Sequence, residues 1–239
     1  MEARVVLIRH SDSPADDRVV SFLRMCGVEP EFRHPFKGEP PGSPDESVVA
    51  SVLYGGPFNV FETERHPFLK DEHRWAEGCM KRGIPLLGIC QGAQSIAHVL
   101  GAHVGPKPGE PHEFGYYPIW PTEAGAAFFP AELHVAQSHF HEFHIPSGAE
   151  HLAASDAFPN QAMKYGESTF AFQFHPEVTP AGFRRWQANP DGYAGKQGAQ
   201  EPAEQDRLGA IHDARQHDWF MGFLERFLGQ RLPAAALSA

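Results

Sequence analysis

The chain has 239 residues, of which 41% are hydrophobic and 21% charged, a balance that suits one folded unit with a good-sized core. A formal net charge of −10 argues against a nucleic-acid surface, and no run of about eighteen apolar residues offers a membrane span. Cys26, Cys79 and Cys90 show no disulfide spacing, and the N-terminus has neither a charged leader nor a long apolar core, so a cytoplasmic protein with reduced thiols is expected.

The elements alternate. Residues 4–9 hold the contiguous apolar run Val5-Val6-Leu7-Ile8, which suits a strand covered on both faces. Ser13-Pro14 reads as the start of a helix that runs to about Met25 and stops at Gly27. A short strand over 29–33, a proline- and glycine-rich loop over 35–44 and a strand over 48–53 follow. The spacing predicts a helix over 67–82, ended by Gly83, then a strand over 86–89 and a helix over 91–100. Beyond Gly101 the pattern changes. A loop over 105–113 precedes short strands at 116–120, 133–137 and 151–155. A hairpin of 162–165 and 170–174 turns at Gly166, and a short helix covers 180–187. Residues 189–206 are polar and read as a surface loop. A helix over 207–228 carries apolar residues at near-helical spacing, and 233–239 reads as a frayed tail. The predicted fold is α/β with three layers, a mostly parallel central sheet flanked by helices, and added antiparallel strands. It is a single domain over 1–239 with its core in 1–187.

Two stretches carry chemistry. Pro85 to Ala93 runs an apolar strand into Gly-x-Cys-x-Gly and on into a helix, the nucleophile-elbow pattern with Cys90 in the place of serine. The helix start favours negative charge on the sulfur. Phe170, Phe172 and Phe174 alternate as in a strand, and His175 stands where that strand stops before Pro176. Glu177, two residues on, can hold the imidazole. Cys90, His175 and Glu177 thus make a thiol–imidazole–carboxylate set at strand ends. A tetrahedral oxyanion on such a site needs fixed donors. The N–H of Gln91 sits at the helix start, and the N–H of Gly56 follows the strand that ends before Gly55-Gly56-Pro57.

In Gly55-Gly56-Pro57, in Gly88-Ile-Cys-Gln-Gly92 with Gln94, and in Phe174-His175-Pro176-Glu177, the chain resembles the class I glutamine amidotransferases, and looks closest to free-standing members similar to the glutaminase domain of GMP synthase. The resemblance covers about residues 1–180. It implies a flavodoxin-like fold and release of ammonia from glutamine, or cleavage of related γ-glutamyl bonds. It implies substrate contacts from Gly55, Gln94 and the backbone around Ser138 and His139. Relatives commonly carry His-Gly where this chain has His139-Phe140, which points toward an altered pocket. No cofactor is expected. His139, His141 and His144 are close in sequence, but no Cys-x-x-Cys or His-Glu-x-x-His accompanies them, and no metal is expected. With no ATP-binding or acceptor domain in view, the expected partners are glutamine or a γ-glutamyl compound and, for an ammonia-supplying subunit, a separate synthetase. A stand-alone γ-glutamyl hydrolase with the same three residues is the alternative, and a relative that kept only the fold is a third reading. The ammonia acceptor and oligomeric state stay open.

Overall fold

A computed structural model describes residues 3–189 and 192–232. The predicted tail over 233–239 lies outside the described residues. The chain forms β1 (Arg4–Ile8), α1 (Arg18–Met25), β2 (Glu31–Arg33), β3 (Val48–Leu53), α2 (Phe68–Arg82), β4 (Leu86–Ile89), α3 (Gln91–Val99), β5 (Val104–Pro106) and β6 (Glu113–Pro121). These are followed by β7 (Leu133–His139), β8 (His141–Phe143), β9 (Ala149–Ala154), β10 (Ala162–Tyr165), β11 (Thr169–Phe172), α4 (Pro180–Gln187) and α5 (Pro202–Leu228), with short 3-10 turns between.

Nine strands form one sheet in the order β2-β1-β3-β4-β11-β10-β9-β6-β7. Neighbours from β2 through β11 run parallel, and those from β11 to β7 run antiparallel. β5 and β8 form a separate antiparallel pair. The parallel half matters for function, because β1, β3, β4 and β11 lie side by side and all end on the same edge. In open parallel sheets that edge is where ligands bind.

Both faces of the sheet are covered. On one face Leu7, Val52, Ile89, Phe170, Phe172 and Phe174 pack with α1 and with Phe220, Phe223, Leu224 and Phe227 of α5. On the other, Val6, Ile8, Leu53 and Leu86 pack with Trp75 and Ala76 of α2 and with Ala93, Ile96 and Ala97 of α3. This two-sided cover explains why β1 and β4 are apolar without alternation.

Three boundaries differ from the sequence reading. α1 starts at Arg18, not near Pro14, because the Asp17 carboxylate accepts from the N–H groups of Val19 and Val20 and caps the helix there. α5 starts at Pro202, so a helix occupies the end of the predicted 189–206 loop. Pro202 stands at its first turn, and Gln205 is buried there, donating to the carbonyls of Phe114 and Gln200. The predicted loop over 105–113 gives its ends to β5 and β6, and the β5 pairing with β8 spans a part of the chain that local periodicity does not link.

Candidate active site

β4 delivers Cys90 at its end, and the backbone there turns sharply. Cys90 has φ 51° and ψ −108°, a conformation that L-residues rarely adopt outside strained functional turns. The glycines on either side make the turn feasible. A Cβ on Gly88 would come within 2.6 Å of the Gly92 carbonyl oxygen, and one on Gly92 would overlap the Leu53 carbonyl. Cys90 is 7% exposed. Its backbone N–H donates to Phe172 O at 2.8 Å, which fixes the elbow to the neighbouring strand.

That neighbour, β11, brings His175 to the same edge. His175 N–H donates to Ala136 O at 2.8 Å. Its Nδ1 lies 2.8 Å from Glu177 Oε1, which leaves the other ring nitrogen for a partner in the cleft. Burial disfavours the charged ring. The charges of Glu177 and the Cys90 sulfur, with the hydrogen bond to Glu177, outweigh burial and raise the His175 pKa to about 10. Arg18 steadies this turn: its backbone N–H donates to Glu177 O, its guanidinium donates to Pro176 O and it pairs with Asp213 of α5 at 2.7 Å. The ring of Trp186 meets His175 edge-on at 4.7 Å between centroids.

Gly55 and Gly56 arrive from β3. A Cβ on Gly55 would lie 2.7 Å from His175 Cε1 and 3.3 Å from Cys90 Cβ, so only glycine lets that backbone sit between the two side chains. The N–H of Gln91 is at the first position of α3 and has no carbonyl one turn back to bond. Gly55, Gly56, Cys90, Ser138 and His175 line one cleft of about 410 Å³, together with Arg9, Tyr54, Trp186 and Tyr193; Gln91 is buried and does not line it.

Other expected contacts are placed differently. Gln94 is buried one turn along α3, and its amide donates to Gln173 Oε1 at 3.2 Å; Gln173 Nε2 in turn lies 3.7 Å from the Cys90 sulfur. The Gln94 side chain thus braces a second amide rather than lining the cleft. His139 is 2% exposed. Its Nε2 meets Glu113 Oε2 at 3.0 Å and its Nδ1 the His141 carbonyl at 3.0 Å, so its side chain belongs to a buried network beneath the cleft. Ser138 does line the cleft, and its carbonyl is 3.9 Å from Cys90 Sγ.

Three contributors lie outside the sequence motifs. His10 sits just beyond β1 and contacts Gly55. Gln173 faces the sulfur. Tyr193 comes from the stretch read as surface loop, and packs against His112 and Phe140 with centroids 5.0 and 5.8 Å apart. Burial, then the nearby Cys90 charge, raise the Tyr193 pKa to about 12. Of the three, only Gln173 adjoins a motif, standing just before Phe174-His175-Pro176-Glu177. Burial raises the Cys26 thiol, with Glu225 adding to it, and raises Cys79 to about 12. Among the described residues no three His, Cys, Asp or Glu side chains group to hold a metal ion, and no helix is long and apolar enough to cross a membrane.

Residues 28–185 match the family described as glutamine amidotransferase class-I, and the chain belongs to that family. It is 30% identical to a crystal structure of a glutamine amidotransferase from Thermotoga maritima, with a TM-score of 0.85 covering 95% of this chain and 99% of that one. A glutamine amido transferase from Methylobacillus flagellatus shares the fold, with a TM-score of 0.88 at 21% identity over 98% of this chain and 96% of that one. A GMP synthase [glutamine-hydrolyzing] of Neisseria gonorrhoeae is 34% identical over 135 residues, which are 54% of this chain and 24% of that protein. The chain therefore spans about a quarter of the length of the curated GMP synthases it matches.

Proposed function

We propose that the protein hydrolyses the side-chain amide of glutamine through a γ-glutamyl thioester on Cys90, and releases ammonia to an acceptor held by a separate protein. The observation that carries this reading is the convergence of Cys90, His175 and Glu177 at adjacent strand ends, with the Gly55-Gly56 turn and the first residue of α3 next to Cys90. The family membership and the likeness to GMP synthases support glutamine as substrate and a synthetase as partner.

The chemistry follows from these positions. The Cys90 thiolate attacks the amide carbonyl, and the N–H groups of Gly56 and Gln91 stabilise the oxyanion. The His175 imidazolium gives its Nε2 proton to the amide nitrogen, which leaves as ammonia. The neutral ring then takes a proton from water as the oxygen adds to the thioester. Collapse of that second intermediate expels the thiolate beside the imidazolium, and the new γ-carboxyl group loses its proton to solvent as glutamate. Glu177 holds the ring by Nδ1 and stabilises its charge.

One observation keeps the γ-glutamyl hydrolase reading open. A cleft of about 410 Å³ falls in the range of about 300–1,000 Å³ typical of drug-sized ligands, which is more room than one amino acid fills. Tyr193, packed against Phe140, helps to shape its wall. The deciding experiment is a substrate panel with the purified protein: glutamine, γ-glutamyl amines and γ-glutamyl dipeptides, each from neutral pH to beyond 10. Slow glutamine turnover that rises when a synthetase partner is added supports the ammonia-supplying role. Fast turnover of a γ-glutamyl amine or dipeptide by the protein alone replaces it with the hydrolase reading. Because the His175 pKa is raised, to about 10, the proton-donating form persists through neutral pH and is lost as pH climbs through that value. The alkaline limb of the rate is expected there, well above the range of an ordinary histidine.

A further inference from the structure

His10 and Glu72 form a buried pair that neither motif includes. His10 is 4% exposed and Glu72 fully buried. His10 Nε2 lies 2.9 and 3.0 Å from the two Glu72 oxygens, and its Nδ1 lies 3.3 Å from the Gly55 carbonyl oxygen. Both neighbours are acceptors, and each ring nitrogen of His10 faces one of them. A wholly buried carboxylate in the middle of α2 is costly unless paired, and its one hydrogen-bonding partner among the described residues is the histidine that touches the Gly55-Gly56 turn.

Gly55 C=O and Gly56 N–H belong to one peptide group. A trans peptide is planar, and its C=O and N–H point in opposite directions. Holding the Gly55 oxygen toward His10 therefore aims the Gly56 N–H away from His10. With glycine on both sides this peptide can rotate between orientations at little steric cost, so its direction needs an outside hold. The His10 ring also packs against Gly56: a Cβ there would come within 2.5 Å of His10 Cβ. The far side of the turn is held by Gln91, whose Oε1 accepts from Phe58 N at 2.9 Å.

We propose that His10, held by Glu72, is a positioning residue that locks the Gly55–Gly56 peptide with its N–H turned toward the oxyanion. This rests on the Cys90 mechanism proposed above. Its signature is a loss confined to steps that build an oxyanion. Alkylation of the Cys90 sulfur by iodoacetamide is a displacement at saturated carbon and forms none, whereas amide hydrolysis forms two.

The test measures both reactions in wild-type protein and in His10→Ala, His10→Asn and Glu72→Gln. His10→Ala is expected to lower kcat for the best substrate of the panel about ten- to a hundredfold, within the scale of losing one oxyanion donor. Its Cys90 alkylation rate and melting temperature should stay near wild type. His10→Asn, which can place an amide N–H near the Nδ1 position, should recover part of the loss, and Glu72→Gln should fall between. The proposal is overturned if His10→Ala turns over at the wild-type rate. It is equally overturned if hydrolysis and alkylation fall together, or if His10→Asn, folded, is no better than His10→Ala. Wild-type protein inactive on every γ-glutamyl substrate would overturn the parent mechanism, a result separate from any of these.

Discussion

Replacing Cys90 by alanine is expected to abolish hydrolysis of γ-glutamyl amides while the protein still folds. Deleting the nucleophile of a hydrolase whose groups act as a unit costs on the order of a millionfold in kcat. No neighbour can substitute. Cys79 is fully buried in α2 and Cys26 lies at the far end of α1, while Ser138 meets the sulfur through its backbone carbonyl. Alanine keeps the Cβ and the bond from residue 90 N–H to Phe172 O, so circular dichroism and the melting temperature should stay close to wild type. Turnover retained by pure, folded Cys90→Ala would exclude the thioester route.

A large effect on stability is expected at Gly92, beside the nucleophile. A side-chain carbon there would overlap the Leu53 carbonyl oxygen and approach its carbon to 2.6 Å. Both atoms are backbone of β3, in the middle of the parallel sheet, and cannot step aside as a flexible side chain would. Gly92→Ala must therefore push α3 off the sheet. Overpacking of this kind costs about 3 kcal/mol, which for a chain of this size lowers the melting temperature by about 6–12 °C. The N-terminus of α3 carries Gln91 and adjoins Cys90, so activity should fall with it. A Gly92→Ala protein that melts within about 2 °C of wild type would show that the helix is not held against β3 as closely as described.

The residues that meet at the strand ends were readable because each carries its own local signal. Gly-x-Cys-x-Gly is a backbone requirement written in sequence: Gly88 and Gly92 are the positions where a Cβ collides with backbone. His175 was readable because a phenylalanine alternation stops at it and Pro176 follows. The parallel core was readable from contiguous apolar runs, which only a sheet covered on both faces requires.

What was hidden depends on distance along the chain. His10 and Glu72 are 62 residues apart, and each alone looks like an ordinary polar residue beside a strand or on a helix. His139 stands next to His141 in a way that suggests ligands, yet its partner is Glu113, 26 residues earlier. The first turns of α5, with Ala203, Glu204, Gln205 and Asp206, lack an apolar stripe, because what holds that end down is Gln205 hydrogen-bonded to β6 rather than a hydrophobic face. Gln216, farther along, likewise accepts from Ala136 N at 2.6 Å on the edge strand β7. Polar anchoring leaves no periodicity to read. Tyr193 reached the cleft for a related reason: a polar loop was folded back by one aromatic that finds His112 and Phe140.

The central claim is that Cys90 alone among the three thiols is an activated nucleophile in a glutamine-binding site, and labelling tests it most directly. Wild-type protein is treated with a glutamine-like alkylating agent, with and without excess glutamine, and the modified peptides are identified by mass spectrometry. A single adduct on Cys90, slowed by glutamine, is the expected result, with Cys26 and Cys79 unmodified. Equal labelling of the three cysteines, or labelling of Cys90 that glutamine does not slow, would contradict it.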